Sequence, residues 1–97
     1  MTSITLQDSR WNVAGDILMD NANAVLTESL ALDMPEDLCI DLSGVASVDT
    51  AALSLMMEWQ RRAISSNQQV SFANLPDSLV SLAALYGVAD FISLKAH

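Results

Sequence analysis

The run Leu38-Cys39-Ile40-Asp41-Leu42, followed after Ser43-Gly44 by apolar residues at helical spacing, constrains this chain more than any other feature. So apolar a short stretch reads as a strand, and as a central one. Ser43-Gly44 is expected to close it. The next helix is expected to start near Asp49-Thr50 and run to about Ser66, with Leu53, Met56, Met57, Gln60 and Ile64 on one stripe. Val70-Ser71-Phe72-Ala73 then supplies a short strand. A strand, a helix and a strand in that order form a right-handed crossover, which sets the two strands parallel.

The flanking segments extend the pattern. Ile4-Thr5-Leu6 and Trp11-Asn12-Val13 alternate apolar with polar, and Asp8-Ser9 between them can turn, so the chain opens with a hairpin. Gly15-Asp16 is expected to break its second strand. Ala22, Val25, Leu26 and Leu30 then recur at helical intervals behind Asp20 or Asn21 as N-cap, and Pro35 closes that region. A third helix opens around Pro76, carries Leu79, Leu82, Ala83 and Tyr86 on one face, and stops at Gly87. Residues 88–97 form a closing segment without an assignment. The expected order is ββαβαβα in a single α/β domain over residues 1–97. Strands that alternate are covered on one face only. The pattern therefore predicts two layers, a mixed sheet with its helices packed on one face and the other face partly solvated.

Composition narrows the partners. Against 4 Lys and Arg stand 12 Asp and Glu, a formal charge of −8, and Arg10 is the only base in the first sixty residues. Phosphate backbones and anionic bilayers repel such a chain, which argues against nucleic-acid binding and against a basic membrane-surface module. With 52% hydrophobic residues the sequence is too apolar for disorder. The apolar stretch from Leu79 to Ala89 is shorter than the roughly 20 residues a membrane span needs. Met1-Thr2-Ser3-Ile4 shows no basic segment leading into an apolar core, so no signal peptide is expected. The expected setting is soluble and cytoplasmic.

The residues of catalysis are sparse. Gly15, Gly44 and Gly87 sit in separate places, so no glycine-rich phosphate loop is present and no cofactor is expected. A Ser/His/Asp triad would have to use His97, and no Gly-x-Ser-x-Gly elbow occurs. Cys39 is the lone cysteine, without a cluster of ligands for a metal, and reads as a small buried hydrophobe. Asp41 and Asp49 flank one stretch of chain, but lack a partner base, so turn and capping roles suit them better than acid–base work. These features predict a protein that is not an enzyme.

The stretch from Leu42 to Leu53 holds the most functional information. Asp49 can cap the helix, which leaves Thr50 as the first helical residue with its hydroxyl directed outward. The pair either does no more than cap the helix or marks a contact that a phosphate on Thr50 would alter. The helix also carries more apolar surface than one stripe requires. Leu53, Met57 and Ile64 can face the sheet, while Ala51, Leu55 and Trp59 form a second row that Arg62 extends. That second row is either buried by a neighbouring element or a docking surface with Trp59 as anchor.

With these motifs in hand, the chain resembles the STAS family, the domain of anti-sigma factor antagonists and of sulfate-transporter tails. Trp11-Asn12-Val13-Ala14-Gly15-Asp16 is similar to the family's second strand and Gly-acidic corner. Cys39-Ile40-Asp41-Leu42-Ser43-Gly44-Val45 resembles its central strand, and Asp49-Thr50-Ala51-Ala52-Leu53 its Asp-Ser/Thr-x-Gly-Leu signature. Ala52 replaces the usual glycine, and Thr50 the more frequent serine. Leu42-Ser43 with Val48-Asp49-Thr50, and Leu82-Ala83 with Leu85-Tyr86, make it resemble more closely the small stand-alone STAS subunit of Mla-type phospholipid ABC transporters. That resemblance implies a cytoplasmic, non-enzymatic subunit that binds the transporter's ATPase and, through it, sits at the inner face of the inner membrane. Its complex maintains outer-membrane lipid asymmetry. The expected contact is Ser47, Val48, Asp49 and Thr50 together with an exposed row Ala51, Leu55, Trp59 and Arg62. The alternative implied by the wider family is an anti-sigma factor antagonist, whose partner is a serine kinase that phosphorylates Thr50.

Overall fold

The computed structural model describes residues 2–88. Its elements are β1 (Ser3–Gln7), β2 (Arg10–Ile17), α1 (Ala22–Leu30), β3 (Leu38–Val48), α2 (Thr50–Ser65), β4 (Val70–Ala73) and α3 (Asp77–Leu85). The expected order ββαβαβα is the order observed. The strands lie side by side as β1-β2-β3-β4, with β1 antiparallel to β2 and the other two pairings parallel. Asp8 makes the hairpin turn with a φ of 56°, in a left-handed region that its short polar side chain tolerates.

Alternation decides which face the helices cover. Ile4, Trp11, Val13, Leu38, Ile40, Leu42, Val70 and Phe72 form one buried cluster with Val25, Leu53, Met56, Trp59 and Leu79 of the helices. The residues between them in β2 and β3, such as Asn12, Cys39 and Asp41, lie on the opposite face and outside that cluster. Cys39 is buried but takes no part in the core.

Two sequence expectations fail at glycines. β2 continues through Gly15 to Ile17, with Gly15 at a φ of 103° between two register shifts. The central strand likewise does not end at Ser43-Gly44 but runs 11 residues to Val48. Gly44 serves close approach here. A Cβ on it would lie 3.0 Å from both the Ala14 Cβ and the Val13 carbonyl oxygen, so the missing side chain lets β3 stay paired with β2.

The helix ends follow their local chemistry. Gly87 takes a φ of 69° after α3, and the Val88 and Gly87 N–H groups donate to the Ala83 and Ala84 carbonyls. Asn67 does the same for α2 with a φ of 60°, as the Gln68 N–H donates to the Ala63 carbonyl at 2.8 Å. α1 stops at Leu30, well before Pro35. Tyr86 is exposed and does not join the inward face of α3. Apart from Val88, which packs on the core, the closing segment lies outside the described residues. No helix among the described residues is long and apolar enough to cross a membrane.

Candidate functional site

A single residue separates the end of β3 from the start of α2. That residue, Asp49, is extended (φ −135°, ψ −166°) and works in two directions. Its Oδ1 accepts the Ala51 N–H at 2.8 Å and caps α2, while its Oδ2 accepts the Met19 N–H at 2.9 Å. The Asp49 N–H in turn donates to the Ile17 carbonyl at 3.3 Å. One carboxylate therefore holds both the first turn of α2 and the loop between β2 and α1. Its negative charge also suits the positive end of the helix.

Thr50 opens α2, half-buried, at the head of a groove of about 380 Å³ between α1 and α2. Met19, Ala22 and Leu26 wall it on one side, and Ala51 and Leu55 on the other. Ser47 is exposed at the end of β3, and Val48, Asp49 and Ala51 are half-buried. The structure thus brings Ser47 through Ala51 to one accessible edge of the molecule.

The lower half of the expected row goes elsewhere. Leu55 and Trp59 do not form an exposed surface, since only 3% and 1% of their area reaches solvent. Trp59 meets Trp11 edge to face, with ring centroids 5.7 Å apart and planes at 83°. Its indole N–H donates to the Ser29 hydroxyl at 2.9 Å, and that hydroxyl donates to the Leu26 carbonyl. Arg62 donates to the Ser29 and Leu32 carbonyls at 2.9 and 2.7 Å, and its guanidinium lies 5.8 Å from the Trp11 ring centroid. Ser29 lies in the last turn of α1 and Leu32 two residues beyond its end, where a cation is favoured. Trp59 and Arg62 join α2 to α1. The stripe named for the sheet is rotated accordingly: Met57 and Ile64 are exposed, and Ala52, Leu53, Met56 and Ala63 face inward.

Ser29 is the residue that sequence reasoning missed. It is fully buried, and a lone serine in a short helix carries no signal of that role. Met19 was missed as well. It lies thirty positions from Asp49 in sequence, although its backbone is bound to that side chain.

Asp41 belongs to a separate network in the middle of β3. Burial opposes its charge, but the Ser43 backbone N–H, Arg10, the Ser43 side chain and Asn74 outweigh this and bring its pKa down to about 2. Asp41 pairs with Arg10, whose own pKa is raised by that bond. It makes no contact with Asp49, so the two carboxylates do not form an acid–base pair. Among the described residues no group of three or more His, Cys, Asp or Glu could hold a metal ion.

Comparison with known proteins bears on the family and the fold. A family model described as "Mlab, STAS domain" matches residues 1–94. No curated protein matches the chain. Among solved structures, a protein described as an anti-sigma factor antagonist from Thermotoga maritima superposes with a TM-score of 0.77 at 13% identity, covering 100% of this chain and 87% of that one. The anti-sigma factor antagonist SpoIIAA in its unphosphorylated form gives 0.68 at 6% identity over 100% and 88% of the two chains. RsbS of Moorella thermoacetica, in a serine-to-glutamate variant, gives 0.62 at 15% identity over 99% and 86%. At these identities the structural likeness establishes the fold.

Proposed function

The chain belongs to the Mlab STAS-domain family, and we propose that it is a non-enzymatic accessory subunit that binds the ATPase of an Mla-type phospholipid ABC transporter. The family match over residues 1–94 carries this reading. The contact is centred on Thr50, with Ser47, Val48, Asp49 and Ala51 around it. Leu55 walls the groove beside Thr50, and Trp59 and Arg62 act from behind, by fixing the angle between α1 and α2. The protein works at the cytoplasmic face of the inner membrane, held there by its partner.

The accessibility of Thr50 supports this choice of centre. A glutamate in its place puts a charge into the contact beside Asp49, and the core is untouched. Titration calorimetry with the purified ATPase subunit of the same host tests the reading. Saturable binding by the native chain, weakened at least ten-fold by Thr50→Glu, is expected, a loss of about 1.4 kcal/mol. Absence of heat with the native chain would overturn it.

The second reading, a phosphorylation-switched antagonist, gains from the anti-sigma factor antagonists among the fold neighbours. It requires a serine kinase that modifies Thr50. Among the described residues no lysine or arginine lines the groove at Thr50, so a phosphate there would meet Asp49 without a compensating cation. Phosphorylation would act by repulsion. Mass spectrometry after incubation with such a kinase distinguishes the two readings.

A further inference from the structure

We propose that the groove between α1 and α2 receives a basic amphipathic helix of a partner protein, which inserts an aliphatic side chain beside Met19 and sets lysines or arginines against the acidic rim. This rests on the reading that the Thr50 edge is the docking face, and adds what the partner must present there.

Met19 is the first observation. Its side chain is 73% exposed, yet its backbone is held by Asp49 through a 2.9 Å hydrogen bond. A large apolar side chain is thereby kept in water on an anchored loop, where little backbone ordering remains to be lost on binding. Met19 stands over a groove walled by Ala22, Leu26, Ala51 and Leu55, whose volume of about 380 Å³ admits a bulky aliphatic group. Methionine adapts its shape to such a guest.

Charge gives the second observation. Glu58 lines the groove, Asp49 borders it, and exposed Asp20 follows Met19 in the chain, while no basic side chain lines it among the described residues. Arg10, the only base of the first sixty residues, is engaged by Asp41 on the other face of the sheet. Arg61 does pair with Glu58, but both side chains are exposed, and such a pair exchanges readily for a partner's cation. The starts of α1 and α2 also meet at the groove, and their positive ends would favour an anion. Asp49 already occupies the α2 end, and an incoming anion would face it and Glu58.

The test uses two synthetic peptides with one apolar helical pattern, the first carrying lysine and the second glutamate at every polar position. Each is titrated into isotopically labelled protein, with backbone amide shifts as the readout. The lysine peptide is expected to move Met19, Ala22, Thr50 and Ala51, with an affinity about five-fold weaker when salt shrinks the screening length from roughly 10 Å to a few ångström. Met19→Ser and Glu58→Lys should each weaken it at least three-fold. Glu36→Lys, an equal charge change at an exposed position before β3, should leave it within two-fold. Equal binding of the glutamate peptide, shifts confined to other surfaces, no binding at all, or equal effects of Glu58→Lys and Glu36→Lys would each overturn the proposal. The peptides report on the groove whether or not the natural partner is a transporter ATPase, so this inference and the functional reading fail separately.

Discussion

The two ends of α2 begin from similar residues and reach opposite uses. Ala51, Leu55, Trp59 and Arg62 form one continuous row in sequence. At the lower end, Trp59 and Arg62 are committed to α1: their donors fill the Ser29 hydroxyl and the Ser29 and Leu32 carbonyls. At the upper end, Asp49 and Thr50 meet a loop, and the groove beside them stays open. Polar groups at the lower end are spent inside the fold, whereas at the upper end Asp49 holds backbone in place and Thr50 remains reachable. A site for a partner needs that second condition.

The largest effect that tests this contrast is loss of the joint. Trp59→Ala removes a fully buried ring and leaves the Ser29 hydroxyl without its donor, so about 3–5 kcal/mol of stability should go, as read by urea unfolding. A loss below about 1 kcal/mol would mean that the ring is not packed as described. Arg62→Ala should cost about 2 kcal/mol, from two charged hydrogen bonds to the last turn of α1 and the chain just beyond it. Trp59→Phe, which keeps most of the packing, should bind the partner normally once folded; failure of the folded variant to bind would return Trp59 to the contact itself.

A pH contrast of similar size separates the joint from the Asp41 network. The Asp41 pKa is lowered from 3.8 to about 2 in the fold, so its contribution is present above pH 4 and is lost as pH falls through about 2. That amounts to roughly 2 kcal/mol. Asp41→Asn should flatten the decline in stability between pH 4 and pH 2, whereas Arg62→Ala should leave its slope unchanged.

Smaller effects are expected at the upper end. Asp49→Ala should cost about 1–2 kcal/mol, because it removes the cap of α2 and frees the Met19 backbone. Hydrogen exchange should then quicken at Met19 and Ala51 together, and at Ala51 alone if the two-segment clamp is not made. Thr50→Glu should change stability by no more than about 0.5 kcal/mol while binding weakens at least ten-fold.

Much of this arrangement can be read from the residues. The order of elements follows from the change between alternating and helical spacing, and the α3 stop at Gly87 follows from the freedom of glycine at positive φ. Asp49 as the cap and Thr50 as the first helical residue were both legible. The length of β3 was not, because Gly44 reads as a breaker on local grounds while its use depends on Ala14 of another strand. Which row of α2 faces inward was equally hidden. The helix has two apolar rows, and the choice rests on where α1 and the Ser29 hydroxyl lie. The groove went unseen for the same reason, since its walls come from segments about thirty residues apart in sequence.

The most direct test is to co-purify the tagged chain from its native host beside its Thr50→Glu variant, and to identify what each carries by mass spectrometry. An ABC ATPase with its permease, recovered by the native chain and absent from a folded Thr50→Glu variant, is the predicted result. Recovery of the same ATPase by both, or its absence from the native chain, would contradict the account.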